Sequence, residues 1–244
     1  MRRQIRELQQ DRTSARTVSR SVLGAIVVAL GISACGGGDK GTDEAELTAS
    51  QVCASAFDTS AAKALQRIGD TTKFAEMPGS DDSGKPNKFS LKYAASTVHK
   101  DQTQRNQCVV FKAGDKSGHP LIDSDFSASR YVPKTETPGS GGDSEKTFYP
   151  IGAYAQTGDT SSALLYFKCP TQDPTKASGT TPYVRASLTS APGQISAKAT
   201  GRDLMTVLNS LSEAMAKQLG CASEAALPSE IPASTHSGET GTSR

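Results

Sequence analysis

The only strongly patterned chemistry in this chain of 244 residues belongs to its five cysteines, and their spacing decides what that chemistry is. Cys53, Cys108, Cys169 and Cys221 stand more than fifty residues apart, one from the next. Zinc sites use close pairs such as Cys-x-x-Cys, so the spacing indicates no metal. An even set of distant cysteines in an exported chain indicates two disulfides instead. The densest polar cluster is Asp115, Lys116, His119, Asp123 and Asp125 in DKSGHPLIDSD. Asp123 and Asp125 would share one strand face, and Asp115 could add an oxygen from the preceding turn, a set suited to a hard cation. A solvated hairpin turn shaped by Gly118 and Pro120 accounts for the same residues and is the expected reading. Asp81 and Asp82 lie between Gly79 and Gly84 without the spacing of a calcium loop. His99, His119 and His236 are far apart. No Gly-x-Ser-x-Gly, His-Glu-x-x-His, phosphate-binding or dinucleotide fingerprint occurs. No catalytic residue and no cofactor is therefore assigned.

Cys35 differs from the other four by its setting. Arg2, Arg3, Arg6, Arg12, Arg16 and Arg20 precede an apolar run from Val22 to Ala34, opposed only by Glu7 and Asp11. A basic segment followed by a short apolar one is a secretory signal, and the run is too short for a membrane-spanning helix, which needs about 20 residues. Its end, Ile32-Ser33-Ala34-Cys35, resembles the lipobox of bacterial lipoprotein signal peptides. The resemblance implies diacylglycerol on the Cys35 thiol, cleavage after Ala34, and fatty acyl chains such as palmitate that anchor the mature N-terminus. Each buried acyl CH₂ contributes about 0.8 kcal/mol, so several chains hold far better than one. The expected location is the extracytoplasmic face of the cell membrane.

Composition changes once residues 1–34 are set aside. Residues 35–244 carry 21 basic and 23 acidic side chains, so the net charge of +2 belongs to the signal and nothing suggests a nucleic-acid partner. The remainder is rich in Ala, Ser, Thr and Gly and lacks Trp. In this it resembles secreted actinobacterial domains with an N-terminal and a C-terminal cysteine pair, a likeness that implies no activity.

The elements that must position these groups are legible in part. Residues 35–47, with three glycines directly after Cys35, are expected to be a flexible linker. Ser60 caps an apolar stripe of Ala61, Ala64, Leu65 and Ile68 ended by Gly69. Residues 78–88 and 134–146 read as surface loops, the second mobile. The stretch 89–99 fits strand and helix templates about equally, and Ser90 as a cap favours helix. Strands are expected at 107–113, 121–132, 148–156, 162–168 and 183–190, the third and fourth joined by a hairpin at Thr157-Gly158-Asp159. The strongest helix is 201–219: Leu204, Leu208, Leu211, Met215 and Leu219 form one stripe between Thr200 as cap and Gly220 as stop. Residues 223–244 are expected to be a disordered tail.

This order predicts an α+β domain over residues 48–222, an antiparallel sheet with helices packed on one face. Four cysteines allow three connectivities. Cys53–Cys108 would fasten the N-terminal segment to the sheet, and Cys169–Cys221 would pin the end of the last helix to it. On function, the sequence favours a non-catalytic binding or interaction module of the cell envelope, held on the membrane by lipid at Cys35 and meeting an envelope protein or small ligand. The alternative is an envelope enzyme whose site assembles from distant residues. A concave pocket of convergent titratable groups would point to the enzyme, and a flat or apolar patch to the binder.

Overall fold

The computed structural model describes residues 46–77, 79–80, 84, 87–134, 146–158, 160–175 and 179–236. The expected signal, Cys35 and most of the linker lie outside these residues. So do most of the 134–146 loop and the end of the tail.

Among the described residues eight strands form one sheet: β1 (Phe74–Glu76), β2 (Cys108–Lys112), β3 (Ile122–Ser129), β4 (Lys146–Phe148), β5 (Tyr154–Gly158), β6 (Ser162–Gln172), β7 (Thr180–Thr189) and β8 (Thr235–His236). Their order is β1-β2-β3-β7-β6-β5-β4-β8, and every neighbouring pair is antiparallel. Strand alternation sends Ala163, Leu165 and Phe167 of β6 and Val184, Ala186 and Leu188 of β7 to one buried face. The helix α3 (Gly201–Leu219) packs across β5, β6 and β7 there. The helices α1 (Thr59–Gly69), α2 (Leu91–Thr97) and α4 (Ala222–Ala225) pack against α3 in turn. The fold class is the one expected, α+β with helices on one face of an antiparallel sheet.

Helix α3 begins and ends where its caps dictate. The Thr200 hydroxyl accepts the Asp203 N–H at 3.2 Å while the Asp203 carboxylate accepts the Thr200 N–H at 3.1 Å, a reciprocal capping box. Gly220 at φ 77° supplies the left-handed stop. Of the expected stripe, Leu204, Leu208, Leu211 and Met215 are fully buried. Asn209, Ser210 and Ser212 are buried too, because α3 is covered by helices on the side away from the sheet. Helix α1 starts two residues earlier than Ser60 suggests. Asp58 is the cap, its carboxylate accepting the Ala61 N–H at 2.7 Å, and the Ser60 hydroxyl donates to that carboxylate at 2.8 Å. Ser90 caps α2 as expected, accepting from the Tyr93 N–H at 3.4 Å.

The two disulfides are Cys53–Cys108 and Cys169–Cys221, the expected pairs, with Cα separations of 5.4 and 5.3 Å. Each closes a loop of about fifty residues, worth about 4 kcal/mol in the chain-entropy account. Cys53, Ala54 and Ser55 all take positive φ, 52°, 58° and 56°. Such a left-handed turn costs about 1–2 kcal/mol per non-glycine residue. The bond to Cys108 and the hydrogen bond from the Cys53 N–H to the Glu76 carboxylate hold it in place.

Two expectations need correction. The run expected as one strand over 148–156 is broken into β4 and β5, which pair with each other. Pro150 and Gly152 turn the chain between them. Gly152 has φ 59°, and a Cβ there would overlap the Tyr166 carbonyl oxygen, so the bend needs glycine. The tail expected to be disordered from 223 onward is docked as far as 236. Ala225 and Ile231 are 5% and 6% exposed, and β8 pairs with β4. The tail is held by side chains of α3 that reach backbone carbonyls: Asn209 donates to Pro228 O at 2.8 Å, and Arg202 donates to Pro232 O at 3.1 Å and to Ile231 O. Carbonyls carry no sequence pattern, which is why the tail reads as disordered.

Candidate functional site

A cleft of about 410 Å³ opens where the far end of β3 and the start of β7 meet the segment 98–105 that leads from α2 towards β2. Ser127, Ala128 and Arg130 form the β3 side, Gly179 and Thr181 the β7 side, and His99, Lys100 and Arg105 the facing wall. The lining is almost wholly polar, with Val98 and Ala128 its aliphatic side chains. Its volume lies within the range of small-molecule sites, about 300–1,000 Å³.

The facing wall is fastened at several points. The Ala128 N–H donates to Val98 O at 2.8 Å, tying β3 to the end of α2. Arg105 donates from Nε to Lys100 O at 3.2 Å, closing the turn Gln102–Gln104, and from Nη1 to the Asp125 carboxylate. The Ser187 hydroxyl donates to the same carboxylate, and the Arg185 guanidinium stands 3.9 Å from it. Asn106 is buried and accepts the Ser90 N–H at 2.7 Å, while its own N–H donates to the Thr97 hydroxyl at 3.3 Å. Both ends of α2 are thereby fixed relative to the wall.

Bonds made within the protein decide which charges face the cleft. Arg105 is neutralised by Asp125, and the Asp173 carboxylate accepts the Thr175 N–H at 2.9 Å and hydroxyl at 2.7 Å. Lys100, Arg130 and Asp101 form no ion pair among the described residues. Among the described residues the Ser127 and Thr181 hydroxyls are bonded to no histidine or carboxylate, the contact that activates a hydroxyl nucleophile.

Four groups outside the cleft have a displaced pKa. Burial raises Asp123, and the neighbouring Asp125 charge raises it further. Burial raises Tyr149 and Glu213, and the Ser117 N–H and hydroxyl lower Asp115. None of these four lines the cleft.

The polar cluster singled out in the sequence is thus divided. Asp115 sits in an exposed turn, bonded to Ser117 N–H and hydroxyl at 2.9 and 2.8 Å. Asp125 is occupied by Arg105 and Ser187, and Asp123 stands beside it with one oxygen buried and without a hydrogen-bond partner. Among the described residues no three His, Cys, Asp or Glu side chains come together to hold a metal ion. The expected lipidation site Cys35 and the aspartates 81 and 82 lie outside the described residues. Lys100, Arg105 and Arg130 carry no local motif, and only their convergence in space sets them apart.

No helix among the described residues is long and apolar enough to cross a membrane. In comparisons with protein-family models, curated proteins and solved structures, the chain matched none.

Proposed function

We propose that the chain is a bacterial lipoprotein, anchored through Cys35 at the extracytoplasmic face of the cell membrane, whose domain is a non-catalytic binding module with the polar cleft as its ligand site. The observation that carries the binding reading is the cleft itself. It is concave and carries titratable groups, the outline expected of an enzyme, but among the described residues neither the Ser127 nor the Thr181 hydroxyl is hydrogen-bonded to a histidine or carboxylate, and this favours the binder. Concavity and polarity suit ligand recognition, and an enzyme would additionally need an activated nucleophile or a poised acid and base. Export is supported by the two disulfides, which form in oxidising compartments, together with the basic and apolar N-terminal run.

The test of the anchor is metabolic labelling with an alkyne fatty acid in a bacterial host, for the full chain and its Cys35→Ala variant. Label and membrane partition in the wild type, both lost in Cys35→Ala, are the expected result. An unlabelled wild type, or equal labelling of the variant, overturns the reading.

A further inference from the structure

The cleft's uncommitted charges define what it would hold. We propose that it is a phosphoryl-binding site, with Arg130 and Lys100 taking the anion over the Ser127 and Thr181 hydroxyls. The inference rests on reading the cleft as the ligand site. Of its three cationic side chains, Arg105 is committed to Asp125, which leaves the Arg130 guanidinium and the Lys100 ammonium without an ion-pair partner among the described residues. Arg130 stands at the end of β3, where a Cβ on Gly179 would come 3.5 Å from its Nη2. Gly179 has φ +115°, a conformation other residues rarely adopt, so the backbone there leaves the guanidinium room. A planar guanidinium fork, a point-charge ammonium and two hydroxyl donors are the groups that saturate the several oxygens of a phosphoryl group. Asp101 and Asp173 are the opposing carboxylates of the lining, and Asp173 accepts the Thr175 N–H and hydroxyl through Oδ1. Outside the Arg105–Asp125 pair the two cations are thus balanced by two carboxylates, and the proposal rests on the grouping of the Arg130, Lys100, Ser127 and Thr181 donors around one cleft, not on an excess of charge.

The donors could meet inorganic phosphate or the headgroup of an anionic lipid in the membrane to which the chain is tethered. Titration of the full chain in non-ionic detergent with inorganic phosphate, followed by calorimetry and ³¹P line broadening, tests the first source. Mixed micelles containing short-chain phosphatidylglycerol, against phosphatidylcholine, test the second. Arg130→Ala and Lys100→Ala should each weaken binding about tenfold or more, the worth of a charge-assisted hydrogen bond. Asp101→Asn should tighten it. Lys63→Ala, on the exposed side of α1, is the charge-matched control and should leave it unchanged. Saturable phosphate binding with this pattern supports the proposal with a soluble source, and phosphatidylglycerol-dependent binding alone, with the same pattern, supports it with a lipid source. No binding to either probe, or binding equally sensitive to Lys63→Ala, overturns it. Fatty-acid labelling reads only the anchor and phosphate binding only the cleft, so either can fail while the other stands.

Discussion

Replacing Arg105 by methionine should destabilise the domain by about 3 kcal/mol, the lower end of the range for removing one partner of a buried ion pair. The side chains of Arg105 and Asp125 are 13% and 7% exposed, so neither charge is well hydrated. Methionine keeps most of the aliphatic volume and removes the charge, which leaves the Asp125 carboxylate buried with the Ser187 hydroxyl and with Arg185, 3.9 Å away and 36% exposed. Those two partners are why the loss falls at the low end. Asp125→Asn should cost somewhat less, because the orphaned guanidinium can turn towards the open cleft. The double variant should lose clearly less than the sum of the singles, since replacing both members of a buried pair is often close to neutral. Urea unfolding reads these values directly. With a slope of about 2–3 kcal/mol per molar, Arg105→Met should lower the midpoint by about 1 M. A midpoint within error of wild type, or a double variant equal to the sum of the singles, refutes the claim that this pair fastens the cleft wall.

Three further outcomes follow from the same reasoning. Asp123→Asn should raise Tm at neutral pH, with the gain shrinking as pH falls through the carboxylate range. The folded-state pKa of Asp123 is raised above its ordinary 3.8 by burial and by Asp125, so its favourable contribution is full below the unfolded value and lost as pH rises through the folded one. A gain independent of pH contradicts this. Deleting residues 228–244 should cost about 3 kcal/mol or more, from the lost burial of Ile231 and from Asn209 losing its Pro228 acceptor. An unchanged Tm would show that the tail does not dock. Gly152→Ala should cost more than Gly193→Ala: both have positive φ, 59° and 78°, but a Cβ at Gly152 also lies 3.0 Å from Leu165 Cδ1 and overlaps a backbone oxygen, whereas none at Gly193 meets an atom within 4 Å. Equal losses would remove the steric argument.

How much was legible in the sequence varies with the kind of interaction that fixes each part. The ends of α3 were readable because Thr200 and Gly220 are local chemical signals acting on their own backbone. For α2, whose periodicity is ambiguous, Ser90 alone decided in favour of helix. The break between β4 and β5 is set by Pro150 and Gly152, ordinary turn residues whose bend is fixed by the close approach of Gly152 to the Tyr166 carbonyl on another strand, which no local pattern shows. The docked tail gave no such signal, because its carbonyls are held by Asn209 and Arg202 from a distant helix. The cleft was illegible for a related reason. Lys100, Arg130 and Thr181 come from three segments, each locally an ordinary polar stretch, and only sheet register and the Arg105–Asp125 pair bring them to one place. The aspartates that did stand out in sequence, Asp123 and Asp125, are turned to the sheet's own electrostatics.

The most direct test of the central claim is the intact mass of the native protein purified from a bacterial membrane without reduction. The expected result is a chain beginning at Cys35, carrying diacylglycerol on that thiol, and four hydrogens lighter than the fully reduced form. A chain that retains residues 1–34, or one that starts at residue 35 without lipid, contradicts it.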